Sequence, residues 1–131
     1  PAAGPGSSGR PLMANRPGAA WTLESQPWSA PKAIRLVREH LAQRGRRTPD
    51  STDEVVQLLV RAAVADGGRT ISLHLAEQNR TLLVLALSHQ PDPPALDDSL
   101  LPALHRLGVL SCGTETGTDG RRLFAVLPLT R

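Results

Sequence analysis

The chain has 131 residues, of which 40% are hydrophobic, 2% are aromatic and 21% are charged. That length fits one domain with a tail. The few aromatics, Trp21, Trp28 and Phe124 with no Tyr, give no stacking platform for bases and argue against single-strand nucleic-acid readers. The formal charge of +3 comes mainly from Arg, with Lys32 the single lysine, and is too modest to point to nucleic acid. Cys112 is the one cysteine, so neither an internal disulfide nor a zinc site of cysteines is expected, and a reducing cytoplasm is the default compartment. No apolar run reaches the roughly 18 residues of a membrane span.

Residues 1–18 are mostly Pro, Gly, Ser, Ala and Arg without periodicity. They are expected to be a disordered tail or added residues, ahead of a single domain over 19–131. The start lacks a secretory h-region. The first residue is not Met, and Met13 is a candidate start.

Ala19 to Glu24 alternates around Trp21 and Leu23 and reads as an edge strand. Ser29 and Pro31 mark a helix start, and Ile34, Val37 and Leu41 make an apolar stripe that should end near Gly45. Ser51-Thr52-Asp53-Glu54 matches a capping box. The helix expected after it, Val55 to Ala65, is apolar nearly all round and stops at Asp66-Gly67-Gly68.

Ile71, Leu73 and Leu75 alternate with Ser72, His74 and Ala76, which predicts a strand with one core face. Thr81 to Leu87 is nearly continuous apolar sequence, predicting a central strand covered on both faces or nearly so. Asn79-Arg80 between them predicts an antiparallel hairpin. A Pro-rich loop over 90–94 follows. Asp97, Asp98 and Ser99 precede a helical pattern of Leu100, Leu101, Leu104 and Leu107 that ends at Gly108. Val109 to Cys112 reads as a strand, Gly113 to Gly120 as a polar turn, and Leu123 to Leu129 as the last strand. Together these predict an α+β fold, a two-layer sandwich of a mostly antiparallel sheet with helices on one face.

In this order, "WTLESQPWSAPKAIRLVREHLAQRG", "DEVVQLLVRAAVADGG", "ISLHLAEQNRTLLVLALSH", "LLPALHRLGVL" and "GRRLFAVLPL" resemble the histidine-kinase-like ATPase domain with its Bergerat fold. The likeness runs from Trp21 to Leu129 and extends to the small anti-sigma-factor kinases and regulators of actinobacteria. The resemblance implies an N-box helix carrying a general-base Glu and, one turn later, a magnesium-binding Asn. Counted back from Gly67-Gly68, those positions hold Leu58 and Ala62, which can neither accept a proton nor bind a hard cation. Asp66 takes the place of the last N-box residue. The adenine-binding Asp-x-Gly is replaced by His89 and Gln90, followed by Pro91. The glycine-rich lid is missing, for no glycine lies between Gly68 and Gly108.

The expectation is a non-catalytic regulatory module that binds a protein, a sigma factor or an anti-anti-sigma-type domain, with no cofactor and no metal. The alternative is a serine-kinase anti-sigma factor with a site rebuilt around Asp66. Homodimerisation through the edge strand near Trp21 is a further expectation. DNA association through Arg44-Gly45-Arg46-Arg47 ranks last, because no recognition helix accompanies that cluster. His40, His74, His89 and His105 are scattered without metal-ligand spacing, and His89 is the one at the pocket position. Cys112 has no base identifiable from spacing and reads as core packing.

Overall fold

The computed structural model describes residues 18–129. The expectation of a disordered tail therefore lies outside the described residues, except for Gly18, which begins the first strand. The elements run β1 (Gly18–Glu24), α1 (Ser29–Gln43), α2 (Thr52–Ala65), β2 (Thr70–Gln78), β3 (Thr81–Ser88), α3 (Leu100–Arg106), β4 (Ser111–Gly117) and β5 (Gly120–Pro128). The strands form one open antiparallel sheet in the order β1-β2-β3-β5-β4. The fold is α+β, with the helices on one face of the sheet. Among the described residues, no helix is long and apolar enough to cross a membrane.

Both long helices bury a stripe and expose the rest. In α1, Ala30, Ala33, Val37 and Leu41 are buried at helical spacing. In α2 the stripe is Thr52, Val55, Val56, Leu59, Val60 and Ala63, while Leu58, Ala62 and Val64 are half-buried and Arg61 is exposed. So α2 is amphipathic rather than buried all round. The capping box does not form: Ser51 has near-helical φ −91° and ψ 3°, and its hydroxyl makes no capping bond. The β-region backbone that aims a capping oxygen at the first turn is absent there. Instead, the Ser51 carbonyl accepts the Val55 N–H at 3.0 Å. Gly67 and Gly68 follow the helix with φ of +92° and +90°, the left-handed conformation that stops it.

The β2–β3 hairpin turns at Asn79 (φ +52°) and Arg80 (φ +64°). Two successive positive φ values match the right-handed twist of the flanking strands. The register places Leu73 opposite Ala86 and Leu75 opposite Val84. The last hairpin differs from expectation. β4 begins at Ser111 and continues through Gly117, so most of the polar segment is strand, paired to β5 from Ser111↔Val126 to Gly117↔Gly120. An edge strand needs only one bonded neighbour, so polar residues suit it.

β3 also differs. Leu82, Val84, Ala86 and Ser88 are buried, whereas Leu83, Leu85 and Leu87 are half-buried. The strand is covered by helices on one side only. Its continuous apolar sequence therefore puts leucines on a face that an antiparallel sheet ordinarily leaves polar.

Candidate functional site

Of the residues singled out at the pocket positions, Asp66, His89 and Gln90 lie where the C-terminal end of α2, the end of β3 and the start of β5 meet, while Leu58 lies mid-helix, two turns before Asp66. Leu58, Ala62 and Asp66 are spaced one turn apart along α2, and His89 and Gln90 directly follow β3. Leu58 and Ala62 pack against the core cluster. They are apolar neighbours of the core and offer no donor or acceptor.

Asp66 is the centre of the site. Its carboxylate is 2% exposed and pairs with Arg121, itself 4% exposed, with Arg121 Nη1 donating to Oδ1 at 3.0 Å. Ser88 Oγ donates to the other oxygen, Oδ2, at 2.7 Å. Arg121 Nε donates to Thr116 Oγ1 at 3.2 Å, and Nη2 donates to the Pro94 carbonyl. One guanidinium thus ties together α2, β4, β5 and the Pro-rich loop. Buried charges persist when they are paired and hydrogen-bonded, and here both Asp66 oxygens accept a hydrogen bond and all three guanidinium nitrogens donate one within the clamp.

Around this clamp the remaining positions are similarly occupied. His89 Nε2 is hydrogen-bonded to Ser72 Oγ at 2.8 Å. Gln90 lies against Gly68, where an added Cβ would come within 3.3 Å of its Oε1. Gly120, at φ +147°, packs so tightly on β3 that a Cβ there would lie 2.0 Å from the Ser88 carbonyl oxygen. An open depression of about 480 Å³ remains beside the clamp, lined by Ser88, His89, Thr116, Asp119, Arg121 and Arg122 among others.

Arg121 was not singled out in the sequence. A signal exists: strand alternation puts it in line with Leu123, Ala125 and Leu127, so an inward Arg demanded an acidic partner. No family model matches the chain, and no curated protein matches it.

The other candidates resolve one by one. Arg44 and Arg46, the core of the basic cluster, turn inward onto Glu77, which is 5% exposed, at 2.6 and 2.9 Å. They neutralise a buried carboxylate while their own side chains stay 36% and 43% exposed. Trp21 is half-buried on the helix side, edge-on to His40 at 6.1 Å between ring centroids, so it is not an exposed handle on the β1 edge. The structure brings His105 Nε2 to 3.6 Å from Cys112 Sγ, a neighbour that sequence spacing did not reveal. Burial pushes the Cys112 thiol above its ordinary range, which disfavours the thiolate a nucleophile needs. Among the described residues, no group of three or more His, Cys, Asp or Glu is placed to hold a metal ion.

Proposed function

We propose that this chain is a non-catalytic regulatory module that binds another protein, built on a degenerate histidine-kinase-like ATPase scaffold. The observation that carries this reading is the Asp66–Arg121–Ser88 clamp. Asp66, the acid in the place of the last N-box residue, is buried with both oxygens hydrogen-bonded, while the Leu58 and Ala62 side chains supply no polar atom. A serine kinase with a rebuilt site would need Asp66 free as base or metal ligand, and opening the clamp would strand a buried guanidinium.

Protein binding is supported by what the fold leaves uncovered, a sheet face with leucines at its centre. Glu77 pairs with two of the three arginines of the basic cluster and offsets one of their charges. The partner class, a sigma factor or an anti-anti-sigma-type domain in the cytoplasm, follows from the resemblance of the scaffold.

Calorimetric titration with ATP and ADP in the presence of magnesium tests the reading. No heat and no thermal shift are expected up to about 1 mM nucleotide, equivalent to less than about 4 kcal/mol of binding. Micromolar binding would overturn it and bring the kinase forward.

A further inference from the structure

At the end of the sheet opposite the Asp66 clamp, β2 closes at Gln78, β3 opens at Thr81 and β5 closes at Pro128. The loop after α1 folds onto this end. Gly45, at φ +69°, takes the left-handed conformation. Its N–H donates to the Ala42 carbonyl at 3.0 Å, and the Arg46 N–H donates to the Leu41 carbonyl at 2.8 Å. This pair of bonds is the Schellman ending of a helix, and it fixes Arg44 and Arg46 on either side of the glycine. Both then reach Glu77, with Arg44 Nε donating to Oε2 at 2.6 Å and Arg46 Nε to Oε1 at 2.9 Å. Among the described residues, neither arginine uses its Nη groups in a hydrogen bond. One buried carboxylate therefore splints two partly exposed guanidiniums by their Nε atoms. Ordering long side chains is a main cost of surface ion pairing, and a guanidinium already held in place loses less on forming its next bond.

The surroundings of the splint are also basic. Arg80 stands exposed in the hairpin turn just after Glu77, its carbonyl accepting from the Leu129 N–H at 2.7 Å. Arg47 borders a hollow of about 440 Å³ whose apolar lining includes Pro49, Leu107 and Pro128. Arg106 ends α3 beside that hollow. The acids of this end are Glu77, Asp50 and Glu54, while Asp53 is matched by Arg38 at 2.6 Å. Five arginines against three carboxylates leave an excess of two positive charges.

We infer that this end of the sheet is a docking site for an acidic segment of a partner protein. Its carboxylates are taken by the Nη groups of Arg44 and Arg46 and by Arg47 and Arg80, with Glu77 as a positioning residue. The inference rests on the reading of the chain as a protein-binding module and gives the partner a chemistry. A guanidinium presents paired N–H donors that match the two oxygens of a carboxylate. Side-chain carboxylates stand singly along a protein and can settle between Glu77 and Asp50. A phosphate backbone is a continuous run of negative charge and would meet both acids. None of Trp21, Trp28 and Phe124 lies in these loops, so bases would find no ring to stack on.

Fluorescence anisotropy of a fluorescein-labelled oligoglutamate peptide, titrated with the full chain, provides the test. Binding is expected at about 100 μM in low salt and should weaken as ionic strength rises. Arg47→Glu combined with Arg80→Glu should weaken it about tenfold. Arg35→Glu combined with Arg61→Glu changes the net charge equally on the helices and should leave it within about twofold. Glu77→Gln separates positioning from bulk attraction, because its amide can accept from one arginine but presents N–H to the other. That variant is more positive, so attraction alone would tighten the peptide, whereas loss of the splint should weaken it about threefold, with the fold checked by circular dichroism. No binding by the wild type up to about 1 mM, equal losses in the two charge-reversed pairs, tighter binding by folded Glu77→Gln, or a mixed-sequence DNA duplex that outcompetes the peptide would each overturn the inference. Nucleotide titration on the same samples keeps the two readings apart. A chain that binds neither peptide nor nucleotide removes only the docking site, whereas arginine-dependent peptide binding beside micromolar ATP binding removes only the non-catalytic reading.

Discussion

Asp66 and Arg121 are a case where two expensive groups are retained together. Each is nearly removed from water, and each is hydrogen-bonded within the clamp. The physics of such pairs is asymmetric: losing one partner leaves a buried charge, while losing both leaves only a packing change. Asp66→Ala is therefore expected to destabilise the protein by about 3–5 kcal/mol in urea denaturation. Asp66→Leu combined with Arg121→Met is expected to lose much less than that single change. A mild effect of Asp66→Ala would mean that Arg121 finds another acceptor or water. Glu77 repeats the theme, its buried carboxylate held by two arginines that reach in from the loop after α1.

Among the elements, the β2–β3 hairpin shows how local chemistry fixes a connection. The Asn79-Arg80 turn needs left-handed backbone at both positions. Asn tolerates this, but Arg pays for it in steric strain of about 1–2 kcal/mol. Arg80→Gly relieves that strain and returns about 0.5–1 kcal/mol of it as glycine's chain entropy. The expected net result is stabilisation of about 0.5–1 kcal/mol, read as a higher midpoint in thermal or urea unfolding. The backbone bond from the Leu129 N–H to the Arg80 carbonyl would survive, since it involves no side chain. At the other end of the sheet, α3 starts from an Asp97 carboxylate that accepts from both the Ser99 N–H and its hydroxyl, at 2.9 and 2.8 Å. These bonds hold the Asp97 carboxyl below its ordinary range.

At the scale of the whole molecule, β3 is the organising strand. It is bonded on both edges, to β2 and β5, and α2 lies across its inner face. Among the described residues, β1 and β4 each have one unpaired edge. Stability within the fold should follow this order. Native-state hydrogen exchange is expected to find its slowest amides in β3 and the facing positions of β5, with β1 and β4 opening through smaller fluctuations. Equal protection across all five strands would show that the sheet opens only as a unit.

How much of this was legible in the chain itself depends on the range of the interaction. Residue spacing determined the element order, the apolar stripe of α1, the Asn79-Arg80 turn, and the glycine stop after α2. Each depends on neighbours within a few positions, whose periodicity the sequence displays directly. The α+β layering followed from that order. Tertiary structure alone decided that helices cover one face of β3 and leave Leu83, Leu85 and Leu87 on the other. An apolar strand reads the same whether one side or both are covered. It also decided which charges meet: Arg121 reaches Asp66 across 55 positions, and Arg44 and Arg46 reach Glu77 across 33 and 31. Such pairs are set by sheet register and by the low tolerance of the interior for an unpaired charge, and both operate only once the chain has folded back on itself.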